Sequence, residues 1–204
     1  MKLYYSPVTC SLASHIALHE AGLSFEIIPV NLKTKTYPNG NFMEINPKGY
    51  VPVLELSNGE RLTEGVAILQ YIADQKKESG LMPPPQTMNY YHELEWLNYI
   101  ATELHKSYGP LWHSDTGDEA RDKTIQQLKT KYDFVQAHLQ QHEFLVGDSF
   151  TIADAYLFTI LNWNRFVKLD LSPWPALVSF LKKTGERPSV EKAVAAEKSG
   201  KQRL

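Results

Sequence analysis

Cys10 is the one cysteine in a chain of 204 residues, and it stands where a strand gives way to a helix. Residues 1–6 (Met-Lys-Leu-Tyr-Tyr-Ser) read as a short strand and Pro7 breaks it. Residues 11–22 read as a helix, with Leu12, Ile16, Ala17 and Leu23 roughly on one face and Gly22 as the stop. A thiol at a helix N-terminus faces unpaired N–H groups and the positive end of the helix dipole. That setting lowers a thiol pKa from about 8.5 toward about 3.5–7.5 and favours the nucleophilic thiolate. The same position suits a small buried hydrophobe, since free cysteine is among the most buried residue types. Position alone leaves both readings open.

Bulk composition bounds what such a thiol can serve. With 204 residues and 43% hydrophobic side chains, the chain can hold one large domain or two small ones around a proper core. A net charge of −2 gives no reason to expect nucleic acid or an anionic membrane as partner. A single cysteine cannot close an internal disulfide, which fits a reducing cytoplasm. Too few apolar residues precede Ser6 and Pro7 for a signal peptide. No run of about 18 apolar residues exists, so no membrane span is expected.

Two halves follow different patterns. Strand-like and helix-like pieces alternate up to residue 80. Residues 25–30 read as a second strand, with Pro29 favouring an edge position. Residues 31–49 are polar and broken by Pro38, Gly40, Pro47 and Gly49, so they read as loop with at most a short helix. Residues 53–56 and 60–62 flank Ser57-Asn58-Gly59, and Asn-Gly between short apolar runs signals a hairpin. Thr63 precedes a helix over 64–77. The order β-α-β-(α)-β-β-α implies a small mixed sheet with helices on its faces. Residues 81–87 include Pro83, Pro84 and Pro85, a stiff connector that divides 1–80 from 88–204.

Beyond the connector the pattern is all helical. Over 89–108, Leu97, Ile100, Ala101, Leu104 and Tyr108 share one arc of a helix, and Asn98, Thr102 and His105 share another. Residues 118–141 repeat apolar side chains three and four apart, and 153–166 are apolar nearly all round, as in a buried central helix. Residues 174–184 add another helix, and Arg187-Pro188 starts a short last one. Thr151-Ile152-Ala153-Asp154 has the form of a capping box, with Phe150 placed as a hydrophobic staple; this is a folding device.

Five stretches coincide in order and spacing: Ser-Pro-Val-Thr-Cys-Ser-Leu-Ala-Ser at 6–14, Asn-Pro-Lys-Gly-Tyr-Val-Pro-Val-Leu at 46–54, Leu-Thr-Glu-Gly-Val-Ala-Ile-Leu-Gln-Tyr-Ile at 62–72, Glu-Trp-Leu-Asn-Tyr-Ile-Ala-Thr-Glu-Leu-His-Lys at 95–106, and Phe-Thr-Ile-Ala-Asp-Ala-Tyr-Leu-Phe at 150–158. Together they resemble a bacterial glutathione S-transferase of the beta class, over essentially the whole chain. The resemblance implies an α/β thioredoxin-like N-terminal domain that binds glutathione, an all-helical C-terminal domain, an electrophile cleft between the two and a homodimer. It implies glutathione as substrate, with no cofactor and no metal.

The same resemblance assigns residues. Val51-Pro52 would be a cis-proline junction whose Val51 backbone groups pair with the cysteinyl backbone of glutathione, as an added strand would; from the residues alone it reads as an ordinary strand-edge proline. Glu64 and Gly65 open a helix, where backbone N–H groups suit the γ-glutamyl carboxylate and Glu64 suits the ammonium; the bland alternative is that Glu64 only complements the helix dipole. Many relatives place a serine at Gly65, so one hydroxyl contact is missing here. Lys35 falls near the glycine carboxylate in the family and is otherwise a surface lysine. Asn98, Thr102, Glu103, Leu104, His105 and Lys106 line the family's cleft, with His105 polarising the thiolate; the polar three among them are otherwise the solvent side of a helix.

Cys10 ranks first among the catalytic candidates, with His105 as its aid and Ser11 second as a hydroxyl donor. Tyr4 and Tyr5 lie within the strand, one of them packed in the core. Glutathione's thiolate would attack an electrophilic carbon, and Cys10 would add thiol–disulfide exchange. Val8, Tyr108, Leu111, Trp112 and Trp163 are candidates for the electrophile pocket or for the core. The alternative class is a non-catalytic module of the same fold that binds ligands or proteins.

Overall fold

Leu3, Tyr4 and Tyr5 are all buried, so the strand that contains them is covered on both faces. In the computed structural model, which describes residues 1–200, this strand is β1 (Lys2–Tyr5), followed by α1 (Ser11–Glu20), β2 (Glu26–Pro29), a two-residue pair β3 (Thr36–Tyr37) and β4 (Gly40–Asn41), β5 (Val53–Glu55), β6 (Arg61–Thr63) and α2 (Gly65–Gln75). The sheet order is β2-β1-β5-β6. β1 runs parallel to β2, a pairing that needs a crossover, and α1 supplies it. β5 is antiparallel to β1, with Tyr4 opposite Val53, and antiparallel to β6. This is the expected mixed, thioredoxin-like sheet.

Local chemistry explains the boundaries. Pro29 sits on the edge strand, where its missing N–H costs no ladder bond. In the β5–β6 turn, Asn58 Oδ1 accepts the Glu60 N–H at 3.0 Å and Gly59 takes φ +86°. The span expected as loop carries the small β3–β4 pair and a 3₁₀ turn at Phe42–Glu44, whose start is capped by Asn41 Oδ1 accepting from the Met43 N–H at 3.0 Å. Phe42 anchors it, buried with Tyr4, Val30, Val51 and Val53.

The helical unit spans Pro83–Gly185. It holds α3 (Met88–Tyr99), α4 (Asp118–Leu139), α5 (Ile152–Leu161), α6 (Asn164–Val167) and α7 (Pro175–Gly185). Every residue of α5 is buried, as expected of a central helix. The helix expected over 153–166 stops at Leu161, because Asn164 Nδ2 donates to the freed Leu161 carbonyl at 2.8 Å and Tyr132 donates to Asn164 Oδ1 at 3.0 Å. The capping box forms: the Asp154 carboxylate accepts from the N–H groups of Thr151 and Leu145, each at 2.9 Å.

The helix expected over 89–108 departs from regular α geometry. α3 passes into a π-helical turn at Ile100–His105. A π turn inserts an extra residue into one helical turn and so rotates the residues after it about the helix axis.

The last helix, α8 (Pro188–Gly200), is a correction to the division at the connector. It forms one compact unit with Met1–Met82 rather than with the helices before it. Arg187 holds Glu20 through two nitrogens at 2.7 and 3.1 Å, and His15 Nδ1 lies 3.2 Å from Glu197. Those pairs, with buried Val190 and Ala193, lay α8 antiparallel along α1. No helix among the described residues is long and apolar enough to cross a membrane.

Glu93 is fully buried in the helical unit and accepts the Ala153 N–H at 2.7 Å, at the start of α5. Burial pushes its carboxyl up to about 8, and the neighbouring Asp154 adds to the rise. Unfolded, the group ionises near 4.5, so the native state holds an extra proton between 4.5 and about 8. Stability contributed by this proton is present at low pH and is lost as pH rises through that window. Glu93→Gln should therefore lose less stability than the wild type on going from pH 5 to pH 8 in urea unfolding. Parallel pH profiles for the two proteins would contradict the assignment.

Candidate functional site

The turn from β1 to α1 is tied by its own hydroxyls. Thr9 Oγ1 donates to the Ser6 carbonyl at 2.8 Å and lies 2.8 Å from Ser11 Oγ, which in turn accepts the Ser6 N–H at 3.3 Å. Ser11 is completely buried. This corrects its candidacy as a donor to a substrate sulfur: its hydroxyl is spent inside the turn. Tyr4 and Tyr5 are also both in the core, not one of them; burial and the Glu55 carboxylate push the Tyr4 hydroxyl up to about 12.

Cys10 remains. It occupies the residue just before α1 and is half-buried, as a reactive thiol needs and an inert core thiol does not. Its Sγ donates to the Val51 carbonyl at 3.4 Å. The Val51–Pro52 bond is cis. The strand ladder begins at Val53, so the Val51 carbonyl stands beyond it and meets the thiol.

The loop before Val51 is shaped by Asn46, which the sequence reading passes over. Its side chain is buried, donates to the Tyr50 carbonyl at 2.7 Å and accepts the Lys48 N–H at 3.1 Å. Gly49 takes φ +69°, and a Cβ there would come within 3.2 Å of Met43 Sδ. Lys35, itself at φ +57°, donates from Nζ to the Gly49 carbonyl at 2.8 Å. Lys35 thus sits against this loop rather than as a free surface lysine.

Glu64 takes φ +70° just before α2. Its carboxylate is exposed and receives Lys48 Nζ at 2.6 Å, and the same ammonium reaches Thr63 Oγ1 at 2.9 Å. Lys48 is a site residue the sequence reading misses, although it lies inside the quoted Asn-Pro-Lys-Gly stretch. Gly65 opens α2, and a Cβ there would meet nothing within 4 Å. Cys10, Lys35, Lys48, Val51, Pro52, Glu64 and Gly65 therefore all belong to the first unit, around two helix N-termini and one cis-proline loop. Among the described residues no three His, Cys, Asp or Glu side chains converge as metal ligands.

The residues named on the helical unit separate. Leu104 is fully buried and corrects its candidacy as a binding side chain: it is core. Asn98 Nδ2 donates to the Leu94 carbonyl at 2.8 Å, and Thr102 Oγ1 donates to the Asn98 carbonyl at 3.0 Å, so both exposed side chains fold back on their own helix. Glu103 pairs with Lys131 at 2.9 Å, and Lys106 is exposed. His105 leaves the arc of Asn98 and Thr102 at the end of the π turn. It is half-buried, its Nδ1 lies 2.7 Å from the Tyr156 hydroxyl, and its ring meets Trp163 edge-on at 4.9 Å. Tyr108, Leu111 and Trp163 are core; Trp112 is exposed and packs edge-on to Trp163.

Burial drives the His105 pKa down to about 4, with the Lys106 charge adding to the fall. The ring is neutral at physiological pH. It supplies a hydrogen bond, not a positive charge.

Residues 9–75 match the family model of the glutathione S-transferase N-terminal domain, and residues 88–188 match that of the C-terminal domain. The chain is 46% identical to the glutathione S-transferase GstA of Escherichia coli O157:H7, over 97% of this chain and 98% of that one. A sphingomonad glutathione S-transferase solved in complex with glutathione is 40% identical and superimposes with a TM-score of 0.93, covering 97% of this chain and 98% of that chain. The bacterial beta class glutathione S-transferase of Sphingomonas chungbukensis gives the same identity, TM-score and coverage.

Proton NMR of the His105 ring tests its charge state. The resonance should titrate near pH 4, and a midpoint near 6.5 would contradict a desolvated neutral ring.

Proposed function

This chain belongs to the glutathione S-transferase family and resembles its bacterial beta-class members, and on that premise we propose that it conjugates the glutathione thiolate to hydrophobic electrophiles. The observation that carries the reading is the thiol of Cys10 at the N-terminus of α1, 3.4 Å from the carbonyl before cis-Pro52. Glutathione laid along this loop pairs its cysteinyl backbone with Val51 as an added strand would, which brings its sulfur to the α1 N-terminus. The first-turn N–H groups there favour a thiolate over a thiol.

The rest of the tripeptide has matching charges. Its γ-glutamyl carboxylate goes to the N–H groups at the start of α2 and to Lys48, and its ammonium goes to Glu64. Its glycine carboxylate goes to Lys35. The resemblance gives His105 the part of an aid to the sulfur, and its neutral ring suits it to a hydrogen bond rather than an ion pair. Asn98, Thr102, Glu103 and Lys106 carry no more than a supporting polar role in this reading. The protein acts as a homodimer in the cytoplasm, in detoxification. Nothing observed favours a non-catalytic module.

Cys10 adds a second activity. Its thiolate attacks the glutathione sulfur of a mixed disulfide, forming a Cys10–glutathione disulfide and releasing the other thiol as thiolate. A second glutathione thiolate then attacks that bond, releasing oxidised glutathione and restoring Cys10.

Calorimetric titration of the reduced protein with glutathione should give saturable binding near one molecule per subunit, followed by turnover of chloro-dinitrobenzene. No binding would overturn the proposal. Cys10→Ala should keep conjugation within about tenfold and lose disulfide exchange; full exchange activity in that variant would remove the role given to Cys10. Gly65→Ser has open space for its side chain and adds a hydroxyl at the α2 N-terminus. It should tighten glutathione binding about threefold to tenfold, the order of one hydrogen bond, and unchanged affinity would show that the carboxylate lies elsewhere.

A further inference from the structure

Three polar side chains interrupt the apolar run of α5. Asp154 closes the capping box at its start, and Thr159 Oγ1 donates to the Ala155 carbonyl at 2.9 Å. Tyr156 does neither. It is 4% exposed, and its hydroxyl reaches off the helix to lie 2.7 Å from His105 Nδ1. The two rings stand at 89° with centroids 5.9 Å apart, and Trp163 meets the same imidazole edge-on. A phenylalanine would fill this space at lower desolvation cost. What the hydroxyl adds is a directed bond to the imidazole.

The π turn brings His105 within reach of that hydroxyl. On a regular helix His105 would stay in line with Asn98 and Thr102, both exposed. The π turn rotates it off that line. Lys131 on α4 pins the turn, with Nζ donating to the Glu103 carbonyl at 2.8 Å and to Ser107 Oγ at 2.7 Å. A neutral imidazole has one N–H and one bare nitrogen, and the bond made by one nitrogen decides the role of the other. A phenol O–H is a stronger acid than an imidazole N–H, and a bare imidazole nitrogen is a stronger base than a phenol oxygen. The bond therefore runs best from Tyr156 to Nδ1. With the proton on Nδ1 instead, Nε2 would turn a lone pair toward a thiolate, an acceptor facing an acceptor.

We propose that Tyr156 is a positioning residue for His105: its hydroxyl donates to Nδ1, keeps the ring's proton on Nε2 and fixes the direction in which that N–H is offered. This rests on the reading of His105 as an aid to the glutathione sulfur. Tyr156 acts through the imidazole, so a residue of the buried central helix takes part in the proposed reaction.

Long-range proton–nitrogen correlation NMR of the full chain reads the tautomer of each histidine ring, and the His105 signals are those missing from His105→Leu. The wild type should show His105 protonated on Nε2. Protonation on Nδ1 would overturn the proposal, whatever any variant does. Tyr156→Phe keeps the ring and removes the hydroxyl. It should lower kcat/KM for chloro-dinitrobenzene by about threefold to tenfold, the order of one hydrogen bond. The loss should fall on kcat, with KM for glutathione within about twofold of wild type. In the His105→Leu background the same Tyr156→Phe change should cost less than about twofold, because the group it acts through is gone. Ile160→Val loosens the same buried helix without touching the hydroxyl, and should lower Tm while leaving kcat/KM within about twofold of wild type. Wild-type turnover in Tyr156→Phe, an equal loss with and without His105, or an equal loss in Ile160→Val would each overturn the proposal. Unchanged turnover in His105→Leu would remove the role of His105 and this proposal together. Lost turnover in His105→Leu beside full activity in Tyr156→Phe would overturn only the latter.

Discussion

The chain must pass from β1 to α1 between Tyr5 and Ser11 and still deliver a thiol to the Val51 carbonyl. Most of the first unit serves that passage. Thr9 and Ser11 tie the Ser6 carbonyl and N–H into the turn through their own hydroxyls. Val8 takes the awkward dihedral that re-aims the chain. The opposing wall is set by Asn46, Gly49 and cis-Pro52, which lift Val51 out of the ladder. Two loops distant in sequence meet at a sulfur-to-carbonyl contact beside the positive end of α1.

The helical unit solves a different problem. The histidine it contributes to the proposed chemistry is desolvated and neutral, held by a tyrosine hydroxyl and an indole edge. In the proposed reaction the thiolate would be stabilised by backbone amides and neutral donors, with lysines kept for the carboxylates. That division makes physical sense. A fixed cation beside the sulfur would stabilise the thiolate so strongly that its nucleophilicity fell, since nucleophilicity declines with pKa.

Local features are legible in the residues. The strand and helix on either side of Cys10, the Asn58-Gly59 hairpin, the edge position of Pro29 and the capping box at Thr151 all follow from short-range chemistry. The cis bond at Val51–Pro52 is not: the residues alone favour a strand-edge proline, and only the resemblance implies otherwise. Three further features depend on packing between distant segments. A helical wheel assumes 3.6 residues per turn, so it puts His105 with Asn98 and Thr102, and the π turn separates them. Ser11 ranks as a donor in the sequence because a hydroxyl's type can be read there and its burial cannot. Adjacency along the chain assigns the last helix to the helical domain, whereas Arg187, Ser189 and Glu197 bind it to α1.

The most direct measurement is a crystal structure of the reduced protein with glutathione. The tripeptide should lie beside cis-Pro52, with its cysteinyl N–H and C=O paired to the Val51 backbone and its sulfur at the N-terminus of α1 next to Cys10. Glutathione bound elsewhere, or a Val51 backbone left unpaired with the ligand in place, would contradict the reading of this turn as the thiol site.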